Sequence, residues 1–301
     1  MVDAVVIGEC MVELSLAGSD HAELGYAGDT FNTAVYLSRL GLSVDYATAV
    51  GRGDPFSAGI LGLMARESLG RGLVVDAEGR LPGLYAIGRD ERGERSFYYW
   101  RDQAPARDYL ALVDRPALGR ALAAAKLVYV SAITLAILRE TGRQALTDSL
   151  AAAVRAGATL ALDTNYRARL WPGPEAAREA IEPLARLAGY ISTAEPDLEG
   201  LGLDPDGAVR RWAEPGCEVV LRRERREIEV VSRGGTETFA AEPPVTVVDT
   251  TGAGDAFNAG YLSARLGGAS VAAAIATARR LAGAVVQHRG AIIPRAAMPG
   301  G

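Results

Sequence analysis

Short runs of valine, isoleucine and leucine alternate along this chain with longer segments rich in alanine, leucine and arginine, and that rhythm leaves few folds open. The runs Ala4–Ile7, Val44–Val50, Leu127–Ser131, Thr159–Leu162, Tyr190–Thr193, Val219–Leu221 and Val245–Val248 have the length and β-branched content of buried strands. Between them Phe31–Leu40, Pro55–Leu69, Glu140–Ala156, Pro174–Leu187 and Asp255–Leu266 carry apolar residues at helical spacing, and Ser270–Val286 adds an alanine-rich helix. Apolar strands separated by helices predict an α/β fold whose mostly parallel sheet is covered on both faces. One stretch breaks the rhythm. From about 72 to 101 the segments Leu73–Val75, Gly83–Gly88 and Arg95–Arg101 read as strands with no helix between them, and Asp90–Glu94 reads as a hairpin loop. Together with part of about 10–30 they predict a small β-sheet lid. It is too small to hold a core of its own, so it must pack on the body or on a second subunit. Residues 1–301 read as one domain.

Charge and rare residues remove several function classes. The chain has 301 residues with 32 basic and 37 acidic side chains, a net charge of −5, which gives no attraction for nucleic acid or an anionic membrane. No run approaches the roughly 20 apolar residues of a membrane span. The start, Met-Val-Asp-Ala-Val-Val-Ile-Gly, has an acid where a signal peptide carries a base, so a cytoplasmic location is expected. Lys126 is the only lysine and lies in Ala-Ala-Ala-Lys-Leu-Val, which excludes a Walker phosphate loop and disfavours Schiff-base chemistry. Two histidines, His21 and His288, cannot form a His-Glu-x-x-His zinc site. Cys10 and Cys217 form no Cys-x-x-Cys pair and read as reduced, buried thiols.

Four segments can carry chemistry. In Asp249-Thr250-Thr251-Gly252-Ala253-Gly254-Asp255, a glycine turn opens a helix whose first amides carry partial positive charge suited to phosphate oxygens. Asp255 then stands beside the anion, either as a helix-start acid or as a general base facing a hydroxyl. A dinucleotide loop fails on spacing, because Phe257 falls where the third glycine belongs. The second segment, Tyr26-Ala27-Gly28-Asp29-Thr30-Phe31-Asn32, is either a plain helix cap or a loop on which a polyol can lie. The third pairs Leu81-Pro82-Gly83-Leu84-Tyr85 with Arg95–Arg101. Strand alternation there puts Phe97, Tyr99 and Arg101 on one face and Tyr98 and Trp100 on the other. Both faces serve packing alone, or one meets a polar acid and the other a subunit. The fourth, Asp163-Thr164-Asn165-Tyr166-Arg167-Ala168-Arg169-Leu170-Trp171, follows a strand end, where open α/β sheets bind ligands. Arg167 or Arg169 there either clamps an anion or is merely solvated.

The Asp-Thr-x-Gly-Ala-Gly-Asp turn resembles the second signature of the ribokinase-like, or PfkB, carbohydrate kinases. Residues 26–34 resemble the first signature, with Ala27 in place of the first of two glycines. Leu81–Tyr85, Phe97–Arg101, Asp163–Trp171, the opening Ile7-Gly8-Glu9-Cys10-Met11-Val12-Glu13-Leu14 and the ending Arg289-Gly290-Ala291-Ile292-Ile293-Pro294 make the chain most similar to the 2-keto-3-deoxygluconate kinases of that family. The resemblance implies a three-layer α/β/α domain with a β-sheet lid. It also implies ATP-dependent phosphorylation of a sugar acid, with magnesium and, as an option, a monovalent cation. Asp255 would be the base and the Gly252, Ala253 and Gly254 amides the anion hole. Gly28, Asn32, Tyr85, Tyr99, Arg101 and Arg167 would face the sugar acid, and Asn165, Thr193, Arg222 and the Gly252–Gly254 turn would face ATP. Two departures stand out. Arg222-Arg223-Glu224-Arg225-Arg226-Glu227 lacks the family's glycine and reads as a solvated hairpin. Thr193-Ala194-Glu195-Pro196-Asp197 replaces the Asn-x-x-Glu motif, leaving metal ligands unassigned. Kinases of fructose, ribose or the galactonate epimer, and a silent sugar-acid-binding protein, remain the alternatives. The aromatic lid face points to a homo-oligomer.

Overall fold

The computed structural model describes residues 2–16, 21–89, 95–243 and 245–300. Its strands are β1 (Ala4–Ile7), β2 (Met11–Leu16), β3 (Ala22–Ala27), β4 (Val44–Gly51), β5 (Val74–Ala77), β6 (Leu84–Arg89), β7 (Arg95–Trp100), β8 (Leu127–Ser131), β9 (Thr159–Asp163), β10 (Tyr190–Ala194), β11 (Glu218–Arg222), β12 (Ile228–Ser232) and β13 (Gly235–Phe239). Nine of them form one sheet in the order β13-β12-β11-β10-β9-β8-β1-β4-β5. All pairs in it are parallel except those of β12, which is antiparallel to both neighbours.

Side-chain alternation explains the layers. Val5, Ile7, Leu160 and Leu162 point to one face, where the helices Arg115–Ala124, Glu140–Arg155 and Pro174–Ala185 cover them. Ala4, Val6 and Ala161 point to the other, beneath the helices Asp29–Arg39, Pro55–Arg66 and Ala253–Leu266. The chain runs from β1 outward through β4 and β5, then returns to β8 and continues the other way. The order therefore reverses between β1 and β8, and a crevice opens at the carboxyl ends of the strands there.

The small sheet has the order β3-β2-β6-β7 and roofs that crevice. Among the described residues its own core gathers Met11, Ala27, Tyr85 and Ile87 with Ala291 of the body, and Tyr99 packs against it. Ala27 ends β3 opposite Met11 and spends its methyl in this core, which accommodates the missing glycine. The Asp90–Glu94 loop lies outside the described residues.

Two expected strands are corrected. Leu73–Val75 does not belong to the lid: β5 pairs with β4 at the edge of the main sheet, where Leu73 packs into the body's core. Val245–Val248 forms no strand. Its valines have β propensity, but the segment runs beside no strand among the described residues, and the amides of Val248 and Asp249 both donate to Val286 O at a helix end. Val247 is left 55% exposed. Propensity without a strand alongside does not make a strand.

Candidate active site

A cleft of about 420 Å³ lies between the crevice and the lid. Its floor begins at the turn before the helix Ala253–Leu266. Gly252 there is left-handed (φ 76°), and a Cβ on it would come within 2.7 Å of Ala291 O, so only glycine fits. The turn brings Asp255 into the first turn of the helix, buried, with Oδ2 accepting from Asn32 Nδ2 at 2.8 Å. Asn32 is itself oriented, because its Oδ1 accepts from the Gly28 amide and its own amide donates to Gly28 O at 2.7 Å. Gly28 is required at this crossing, since a Cβ would lie 2.1 Å from Glu9 O. The two signature segments, more than 200 residues apart, thus meet in one hydrogen bond.

Burial raises the Asp255 carboxyl pKa well above the usual range, and the nearby Asp29 charge adds to this. The Asn32 bond and the Arg167 charge oppose it. A buried carboxylate so raised is a stronger base than one in water. Asp29, in the first turn of its helix, accepts from Asn165 Nδ2 at 3.1 Å. Asn165 holds a positive φ of 24° at the end of the β9 loop.

Beneath the floor lies a buried polar web. Asn258 Nδ2 donates to Tyr129 Oη (3.0 Å) and Asp163 Oδ2 (2.9 Å), while its Oδ1 accepts from Ser192 Oγ (2.6 Å) and Arg222 Nη1 (3.0 Å). Arg222 Nη2 stands 3.8 Å from Asp163 Oδ1, which has no hydrogen-bond partner among the described residues. Burial raises the Asp163 carboxyl to about 6, against the lowering effect of Arg222.

The roof is the inner face of the lid. Phe97, Tyr99 and Arg101 point into the cleft together with Tyr85, which stacks on Tyr99 at 5.7 Å and donates to Glu13 Oε2. Arg101 is 7% exposed and its Nη2 pairs with Glu9 Oε2.

Of the expected residues, Gly28, Asn32, Tyr85, Tyr99, Arg101, Asn165, Arg167, Arg222, Gly252, Gly254 and Asp255 all line this cleft. Thr193 does not: it is fully buried in β10 and its hydroxyl accepts from Thr164 Oγ1 at 2.8 Å. Ala253 does not either, and its amide turns back to Thr250 O at 3.3 Å. The charged stretch Arg222–Glu227 is a hairpin between β11 and β12, but not a merely solvated one, because Arg223 ties Glu195, Asp206 and Glu229 together. Glu9, Asp163 and Asn258 escaped the sequence reading. An acid two residues past an apolar strand was a usable signal for Glu9, whereas the web around Asn258 exists only in three dimensions.

With this geometry in view, residues 1–298 match the profile of the pfkB family carbohydrate kinases. This chain belongs to that family. It is 40% identical over 304 residues to the 2-dehydro-3-deoxygluconokinase of Dickeya dadantii, covering 98% of this chain and 97% of that one. The 2-dehydro-3-deoxygluconokinase structure from Thermotoga maritima superposes with a TM-score of 0.84 at 21% identity, covering 97% and 96%. A candidate ribokinase II of Escherichia coli in complex with ATP and Mg2+ superposes at 0.83 and 20%, covering 97% and 95%. The pfkB fold thus supplies the parallel sheet, the lid and the carbohydrate-kinase cleft seen here. Among the described residues no helix is long and apolar enough to cross a membrane.

Proposed function

We propose that this carbohydrate kinase transfers the γ-phosphoryl group of ATP to the primary hydroxyl of 2-keto-3-deoxygluconate, the substance also called 2-dehydro-3-deoxygluconate, giving its 6-phosphate. The observation that carries the reading is the buried Asp255 carboxylate, bonded to Asn32 of the sugar-side loop and set at the glycine turn of a helix start. The relatives named for this activity support the choice of acceptor.

The residues fit a nucleotide and its metal. At Gly254 the Cβ direction is open space, so a phosphate can approach the first helical turn, whose amides and dipole favour an anion. Among the described residues no three carboxylate, histidine or cysteine side chains gather into a metal site. Asp163, which lines the cleft and whose Oδ1 has no hydrogen-bond partner among the described residues, would be the side chain to face a magnesium ion. A magnesium ion held there with the triphosphate would neutralise charge on the phosphates. Asp255 accepts the proton of the attacking hydroxyl, and Asn32 keeps the carboxylate aimed. The Gly252 and Gly254 edge of the turn stabilises charge on the transferred group. Tyr85 and Tyr99 close over the sugar and exclude water, which would otherwise compete as acceptor.

Release of ADP from ATP and magnesium tests this with 2-keto-3-deoxygluconate, its galactonate epimer, gluconate, fructose and ribose. Turnover confined to the keto-deoxy acids is expected. Turnover on fructose or ribose would reassign the acceptor, and silence with thermal stabilisation by the sugar acid would make this a binding protein. The outer lid face exposes Leu24, Tyr98 and Trp100, the last 62% exposed, and supports a homo-oligomer. Sedimentation of the same preparation as a monomer would remove that part.

A further inference from the structure

One side chain beneath the cleft floor is bonded to four consecutive strands of the main sheet. Asn258, buried in the helix Ala253–Leu266, meets Tyr129 of β8, Asp163 of β9, Ser192 of β10 and Arg222 of β11. Both hydrogens of its amide and both lone pairs of its oxygen are used. The partners dictate which way it points. A guanidinium only donates and an ionised carboxylate only accepts, so the oxygen must face Arg222 and the nitrogen Asp163. The amide thus stands between Nη1 of one charge and Oδ2 of the other, and Arg222 Nη2 stays 3.8 Å from Asp163 Oδ1. We propose that Asn258 is a positioning residue for phosphoryl transfer: it keeps Arg222 and Asp163 apart, each with an edge open to the nucleotide, and pins the helix that carries Asp255. The assignment rests on the function proposed above.

Three arguments support it. Asn258 follows Asp255 by three residues, so the two lie on one side of the helix, one turn apart. A helix held there by four bonds cannot roll about its axis without breaking them, and Asp255 and the Gly252–Gly254 turn inherit its placement. The second argument is the setting of Arg222. Its guanidinium lies 5.6 Å over the ring of Phe257, the residue before Asn258, and Nη1 donates also to Ser192 Oγ at 2.7 Å. Arg222 nevertheless lines the cleft beside Gly252 and Gly254, with 23% of its side chain exposed. A cation so held meets the phosphates without first losing much side-chain freedom. The third argument is what would happen without the amide. Arg222 and Asp163 would be free to close into a direct ion pair, which would spend the cation on the carboxylate and cover the open edge of both.

The test takes wild type, Asn258→Ala and Asn258→Asp through calorimetric titration with ATP and magnesium in the absence of acceptor, ADP release on 2-keto-3-deoxygluconate, and thermal melts. Asn258→Ala should weaken nucleotide binding by roughly 10-fold and lower kcat by roughly 10- to 100-fold, with KM for the acceptor unmoved. Asn258→Asp should be rescued by acid. Ionised, it sets a second carboxylate against Asp163; with one proton on the pair, a donor and an acceptor edge return. The charged and titratable groups bonded to position 258 are Tyr129, Asp163 and Arg222, and Asp29, Asp197 and Arg167 act on Asp163 from farther off. The wild type has all of them, so the ratio of variant to wild-type kcat/KM at each pH isolates position 258, and it should rise as pH falls. A folded Asn258→Ala with wild-type nucleotide affinity and kcat would overturn the assignment, and a lower melting temperature alone would make Asn258 a packing residue. A ratio flat with pH would overturn it too, and decides alone if Asn258→Ala does not fold. Wild type that binds ATP but ignores 2-keto-3-deoxygluconate would overturn the proposed acceptor, while the nucleotide titrations would still decide Asn258; wild type that binds no ATP would overturn both.

Discussion

The floor and the roof of the cleft are built on opposite plans. The floor is body: Asp255, Asn32, Asp163 and Asn258 are buried, and hydrogen bonds drawn from sequence positions far apart fix each of them. The roof is a four-stranded sheet with a core of a few side chains, one aromatic face over the cleft and one exposed. Chemistry that needs a carboxylate aimed within a fraction of an ångström sits on the rigid part. Recognition of an acceptor that must enter and leave sits partly on the mobile-by-construction part, whose few buried contacts make it the cheaper element to move. The difference teaches how one fold can keep its phosphoryl chemistry while the roof and mouth change the acceptor.

The Glu9–Arg101 pair is where that division can be broken most severely, because it ties the roof to the body through buried charge. Arg101→Ala should cost about 3–5 kcal/mol of stability by leaving Glu9 buried and unpaired. Burial already raises the Glu9 carboxyl pKa while Arg101 lowers it, so the unpaired acid should take up a proton at higher pH than in the wild type. Removing both charges, in Glu9→Gln with Arg101→Met, should recover most of the loss. Chemical denaturation of the three proteins decides it, and a single variant as stable as wild type would show that the pair does not join the two regions.

A smaller effect sharpens the floor. Asp29 raises the Asp255 pKa by like charge. The base works deprotonated, so kcat/KM falls on acidification through that pKa. Asp29→Asn should therefore move the acidic limb of the profile to lower pH. A limb that stays in place, or moves up, would mean that Asp255 does not set it.

Much of this was legible in the chain. The alternation of buried faces marked β1, β4, β8, β9, β10 and β11, because each strand's two faces meet helices and leave nothing to context. The glycine turns were legible for a similar reason: Gly28 and Gly252 occupy places where a methyl group would strike backbone. What failed depended on neighbours. Val245–Val248 reads as a strand but lies against a helix end, and Leu73–Val75 joins the sheet that happens to lie beside it. Glu9, 92 residues away, holds Arg101 in the cleft, a pairing the sequence does not show. Thr193 sits at a strand end of the right kind, yet its hydroxyl is spent on Thr164.

Asp255 carries the central claim, and turnover of Asp255→Asn measured beside its thermal melt at pH 7 tests it most directly. Because burial raises the folded-state pKa of this group, it subtracts from stability progressively as pH rises from the ordinary carboxylate value through the folded-state value, and asparagine removes the charge while keeping an oxygen for Asn32. The account predicts kcat lower by roughly 10²–10⁴-fold, with a melting temperature equal to or above that of the wild type. Near-normal turnover in a folded variant would contradict it.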